Sequence, residues 1–212
     1  QRDFAPVTGV AATQTVLVVH PSVPARSVKD LIALARSRPK ALNYGSAGHG
    51  SISHMAVELF TYTTGAKFTH VPYKGEGQAA VDLMAGGVDF MFPNMPTVLG
   101  LVHAGKLRAV AVGGASRSQL LPELPTMAEA GAPGYEMSGW FGMFAAAGTS
   151  RDILTRLNGE VARGFQRDDI RDLLAGQGAE PMRGSVDEFS AFVRSELGKW
   201  AKVVSAAGVK VD

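Results

Sequence analysis

The segment YGSAGHGSISHMAVELF, Tyr44 to Phe60, sets three glycines, three serines and two histidines directly before an apolar helical stripe. Gly45, Gly48 and Gly50 allow the backbone to turn tightly and to approach another group closely. Ile52, Met55, Ala56, Leu59 and Phe60 recur at helical spacing, which makes Ser51 the N-cap. Free N–H groups at a helix start, with the dipole behind them, favour a carboxylate or a phosphate. A glycine-rich turn can also do no more than join a strand to a helix. The density of glycine together with Ser46, Ser51 and Ser53 favours an anion site.

Other chemistries fit this stretch less well. Gly45–Ser51 has the outline of a P-loop without the lysine that contacts the β- and γ-phosphates, which argues against a nucleotide triphosphatase. The spacing of His49 and His54 matches no zinc motif, and His20, His70 and His103 are dispersed. All five histidines are therefore expected in structural or hydrogen-bonding roles, with no metal and no cofactor. Ser51 and His54 lie three apart and can meet on a helix face as a hydrolase pair. The chain lacks a G-x-S-x-G elbow and offers no evident orienting carboxylate. Two further strand ends carry candidates. Val71-Pro72-Tyr73-Lys74-Gly75 offers Tyr73 to the same crevice, with Lys74 read as a solvated turn residue. Phe92-Pro93-Asn94-Met95-Pro96 offers the amide of Asn94, a residue type equally at home in turns. Trp140 and Phe141, in an apolar strand, suit a core better than a pocket wall.

The elements that position these residues alternate. Val16–Val19 is a β-branched run, followed by a helix that starts at Ser27-Val28-Lys29-Asp30 and ends before Pro39. A short strand at Asn43-Tyr44 leads into the glycine–serine segment. Strands follow at Phe68–Tyr73, Val88–Phe92 and Leu107–Val112, with helices at Gly77–Ala85 and Pro96–Ala104 between them. This βαβα order predicts a mostly parallel sheet with helices on both faces and ligands at the carboxyl ends of its strands. Beyond Leu120 come loop-forming proline and glycine clusters with a short helix between them, and an apolar strand at Trp140–Ala147. Three helices then follow, at about Ser150–Gln166, Asp168–Gln177 and Ser185–Ala207, with one extended piece near Glu180-Pro181. Ser185-Val186-Asp187-Glu188 forms a capping box. This helical tail has large apolar faces and no visible sheet to cover.

Bulk composition narrows the class. The 212 residues suit one sizeable domain or two small lobes, and 46% hydrophobic with 19% charged residues indicates a globular fold. No apolar run is long enough for a membrane span, and the first residues do not form a signal peptide. The absence of cysteine excludes disulfides and thiolate chemistry. A net charge of +2, with Lys and Arg scattered, gives no support for nucleic-acid binding.

The stretches LNYGSAGHGSISHMAVELF, HVPYKG, VDFMFPNMP, AGKLRAVAV, LPELPTMAEAG, SGWFGMFAAAGT and FVRSELGKWAKVVSAAG resemble, in order and wording, the tripartite tricarboxylate transporter substrate-binding proteins, the Bug receptors. The resemblance covers essentially the whole chain from Asp3-Phe4-Ala5-Pro6-Val7. It implies a periplasmic, non-enzymatic receptor of the type II periplasmic binding protein fold. Such a receptor closes two lobes on a small carboxylate and delivers it to membrane permease subunits. Residues 15–139 would form one complete α/β lobe, 1–14 and 140–212 a mainly helical remnant of the other, with hinges near 11–15 and 138–142. Ser46, Gly48, His49, Gly50, Ser51, Ser53 and His54 inherit a carboxylate-binding role, joined by Asn94 and by Tyr73. Pro93 stands where the family has Asp, which removes a negative charge from the site. The family also begins well before DFAPV, so the first strands of lobe one are expected to be missing and the uncovered remnant to self-associate. The alternatives are a serine-type hydrolase using Ser51 and His54, and a vestigial interaction domain without a ligand.

Overall fold

The computed structural model describes residues 3–208; the outermost parts of the expected end segments, residues 1–2 and 209–212, lie outside the described residues. The chain forms two compact units, one from residues up to 13 with 140–202, the other from 14–139 with the residues from 203 on. It opens with β1 (Phe4–Gln14) and continues through β2 (Val16–Val19), α1 (Val28–Ser37), β3 (Asn43–Ser46), α2 (Ile52–Thr64) and β4 (Thr69–Pro72). Then come α3 (Glu76–Ala85), β5 (Phe90–Met91), α4 (Met95–His103) and β6 (Arg108–Val112).

In the larger unit the strands form a five-stranded sheet of order β4-β3-β5-β2-β6. β3 runs parallel to both β4 and β5, each reached by a crossover helix, as the βαβα pattern requires. β2, between β5 and β6, runs antiparallel to both, so the sheet is mixed. No crossover helix precedes β2, and nothing obliges it to follow the parallel direction. Its four residues, all fully buried, form the apolar spine of the unit. Val16, Val18, Leu83, Met91, Met95 and Val98 belong to one contiguous core, which joins β2 and β5 to the helices α3 and α4. Ser27 caps α1 by accepting from the Asp30 amide, as its Ser-x-x-Asp form predicts.

The short helix expected between the two proline and glycine clusters is absent. Residues 122–131 are turns, with a single helical bond from the Ala130 amide to the Thr126 carbonyl. The chain leaves this turn through Gly131 at φ 118°, a left-handed geometry that stops propagation before a second turn can form.

The smaller unit also corrects the expectation of a helical tail without a sheet. Its elements are β1, β7 (Ser138–Ala146), α5 (Arg151–Gly164), α6 (Asp168–Gly176), β8 (Ala179–Pro181) and part of α7 (Val186–Ala207). β1 is the central strand of a three-stranded sheet of order β7-β1-β8, with Ala11, Ala12 and Thr13 opposite Pro181, Glu180 and Ala179. Pro6 and Gly9 interrupt the alternation that would have marked β1 as a strand. Gly9 is required by packing: a Cβ there would fall 2.6 Å from Cβ of Met182. The capping box at the start of α7 is present, with the Ser185 amide donating to Glu188 and the Glu188 amide to Ser185 Oγ.

Val7, Leu154 and Val186 form one buried cluster of this unit, and Phe165, Phe189 and Val193 are buried too, whereas Phe4, Phe141, Phe144, Ile153, Leu173 and Leu197 are exposed. Trp140 stands edge-on to Phe189 and Phe192 and donates through Nε1 to Glu196. It also borders an apolar groove of about 390 Å³, together with Phe4, Pro6, Phe144, Leu197 and Trp200. Among the described residues, no helix is long and apolar enough to cross a membrane.

Candidate carboxylate site

β4, β3 and β5 are adjacent and parallel, so their carboxyl ends lie at one edge of the sheet. Ser46 closes β3, Tyr73 follows β4, and Asn94 follows β5. The topology therefore brings the three expected strand-end candidates to the same edge, where open α/β sheets take ligands.

The loop after β3 is tied to itself. Ser46 is fully buried; its Oγ accepts from the Gly48 amide at 3.1 Å and lies 2.6 Å from His70 Nε2. Ser53 Oγ accepts from the Ala47 amide at 3.0 Å. Ser51 donates its hydroxyl to the Gly48 carbonyl at 2.7 Å and caps α2 by accepting from the His54 amide. Gly48 and Gly50 adopt φ 112° and 72°, the left-handed values that such a compact loop demands. These bonds leave the amides of His49, Ile52 and Ser53 with no acceptor among the described residues. The latter two are the first amides of α2, which point out of the helix start with its dipole behind them.

Three side chains absent from the sequence-based site organise it. Glu58, one turn along α2 from His54, accepts from Tyr44 Oη at 2.8 Å and lies 3.7 Å from His54 Nε2. His70, expected to be isolated, stacks on both Tyr44 and His54, with ring centroids 4.8 and 4.2 Å apart. Glu76 binds the backbone amide and Nδ2 of Asn94 and the hydroxyl of Thr97. Only the i,i+4 relation of His54 to Glu58 was readable from spacing. The other two partners depend on strand pairing.

Tyr73 donates its hydroxyl to Asp82 on α3, and its amide donates to the Ser46 carbonyl at 2.9 Å. Burial, and then the bond to Asp82, push the Tyr73 phenol up to about 12. Lys74 is exposed, as expected for a turn residue. Burial, with the Glu58 carboxylate adding to it, holds the Tyr44 phenol neutral far above its ordinary value. Burial also lowers His54, assisted by His49, and lowers His70 to about 4, assisted by His54 and His49. Both imidazoles are therefore neutral at neutral pH.

The hydrolase alternative is not supported by the side chains it names. The Ser51 hydroxyl is directed to the Gly48 carbonyl, and His54 Nδ1 accepts from the Gly50 amide at 3.0 Å. No bond joins Ser51 Oγ to the imidazole, so His54 cannot take its proton as a general base.

A mixed α/β sheet with a glycine–serine loop and an open helix start at its parallel strand ends is an arrangement suited to a small anion. The family model for the tripartite tricarboxylate transporter family receptor matches residues 1–209. Protein BugT of Bordetella pertussis is 37% identical over 209 residues, which cover 99% of this chain and 64% of that protein. The R. palustris protein Rpa4515, solved with adipate, is 42% identical and superposes with a TM-score of 0.86, over 98% of this chain and 69% of that one. MatC from Rhodopseudomonas palustris, solved with bound malate, is 29% identical with a TM-score of 0.82, over 95% of this chain and 69% of that one. The chain belongs to the tripartite tricarboxylate transporter receptor family, whose fold is the α/β periplasmic binding protein-like one. It spans less than two thirds of the length of BugT.

Proposed function

We propose that this chain carries the carboxylate-binding lobe of a periplasmic solute receptor that delivers a small carboxylate to the permease subunits of a tripartite transporter. The observation that carries the reading is the set of open amides on His49, Ile52 and Ser53 in the glycine–serine loop. They offer convergent N–H donors, with the α2 dipole, to a carboxylate group. The adipate and malate in the two related structures support a carboxylate rather than a phosphate. In this reading Ser46, Gly48, His49, Gly50, Ser51, Ser53 and His54 form the loop side of the site, and Tyr73 and Asn94 its neighbouring strand ends.

The exposed apolar face of the smaller unit, together with the greater length of the relatives, supports a receptor that is incomplete in this form. Such a chain retains one set of ligand donors and binds more weakly than a full-length relative. The test is calorimetric titration in chelator-containing buffer with adipate, malate and a tricarboxylate. Binding of at least one, weakened about tenfold by Ser51→Ala with Ser53→Ala and with the fold retained by circular dichroism, is the expected result. No binding of any of the three acids would overturn the reading, and affinity unchanged by the double substitution would show that the two serines do not hold the loop amides in position.

A further inference from the structure

His49, His54 and His70 come from three different elements, the glycine loop, the first turn of α2, and β4. One ring nitrogen of each lies within 4.8 Å of the others. Core packing explains two of them. His54 and His70 stack on each other and on Tyr44 with interplanar angles of 12–15°, which fills the space between α2 and β4. Packing does not explain His49. Its side chain is exposed, and it turns edge-on to both other rings, 5.5 and 5.0 Å away. An exposed imidazole gains little from burying an edge there, but it completes a three-nitrogen set.

We propose that His49, His54 and His70 bind one divalent transition-metal cation of the zinc, nickel or copper class. Three imidazoles with an open fourth position are the donor set such ions take, at about 2.0–2.1 Å from each nitrogen. That geometry needs ligand atoms closer than 4.8 Å, so the site must contract on binding. The arm that can move is His49, which lies between Gly48 and Gly50; a side chain at Gly50 would meet nothing within 4 Å. Ligation by His54 through Nδ1 exchanges the Gly50 amide for the metal and keeps Nε2–H toward Glu58. Glu58 lies 3.7 Å from that nitrogen, so a small shift on binding would let its carboxylate orient the ring. His70 is held by Ser46 through its Nε2. The proposal does not depend on carboxylate binding.

The experiment is isothermal titration of tag-free, chelator-stripped, dialysed protein with zinc chloride alone, in a buffer without carboxylates. One-to-one binding at micromolar Kd or tighter is expected. His49→Ala should weaken it by about tenfold or more, while His103→Ala leaves it unchanged. Because His49 is exposed, its loss spares the fold. His70→Gln provides a second removal of one ligand, with folding checked by circular dichroism. Absence of binding below about 100 µM, or binding retained in full by His49→Ala, would overturn the proposal. A chain that binds zinc and no carboxylate would sustain this site and defeat the receptor reading; the reverse result would do the opposite.

Discussion

The two units of this chain solve the burial problem with unequal success. The larger one wraps β2, with no exposed side-chain surface at all, in helices on either side, and of its large apolar residues Tyr62 and Val81 are exposed. The smaller one buries Val7, Leu154, Phe165, Val186, Phe189 and Val193 among the described residues but leaves more large apolar side chains uncovered. Phe4, Phe141, Phe144 and Leu197 remain in solvent. Individual exposed apolar residues are ordinary, but a bordered groove of about 390 Å³ lined by aromatic rings is not. The difference shows that local signals such as the Ser27 and Ser185–Glu188 caps are satisfied in both units whether or not every large apolar side chain is covered.

Substitutions should expose this asymmetry. Phe90→Ala, in the larger core, is expected to cost about 3–5 kcal/mol in urea unfolding, while Phe144→Ala in the smaller unit stays within about 0.5 kcal/mol. Equal costs would break the comparison. Tyr44→Phe should cost about 1–3 kcal/mol, since it removes the donor that satisfies the half-buried Glu58 carboxylate. Leu197→Glu with Phe144→Glu should change unfolding free energy little and abolish any concentration-dependent association seen in sedimentation. A wild-type chain that sediments as a monomer at all concentrations would show that the groove drives no assembly.

The smallest effect belongs to the exposed pair Arg151–Asp187. Arg151 holds the Asp187 carboxyl below its ordinary value. Its folded pKa being the lower one, its contribution is present above the ordinary carboxyl range near pH 4 and is lost as pH falls through the folded value. Asp187→Asn should flatten the acid limb of a thermal-stability profile slightly, and an unchanged profile would show the pair to be inert.

Much of the larger unit was legible because its signals are local. Periodicity marked α1 to α4, Pro39 marked the end of α1 and Gly86 and Gly105 the ends of α3 and α4, and the strand–helix alternation predicted which loops would share an edge of the sheet. Residues 1–14 were not read as a strand, since Pro6 and Gly9 break the alternation and the reason for Gly9 lies across the sheet in Met182. The site divides in the same way. The glycine–serine loop and the Ser51 cap follow from neighbouring residues. The roles of His70 and Glu76 require strands and helices to be placed side by side, and no spacing rule along one chain encodes that. For His70 the dispersed appearance was a property of the sequence, not of the fold.

The hydroxyls of Ser46, Ser51 and Ser53 are each engaged inside their own loop. This gives the loop a consequence for kinetics. A segment already cross-braced by its own side chains has little conformational entropy left to lose when a solute arrives. If the proposed site is real, capture at this edge is governed by diffusion and desolvation rather than by any ordering step. A loop of the same length without those serines would have to find its shape anew at each encounter.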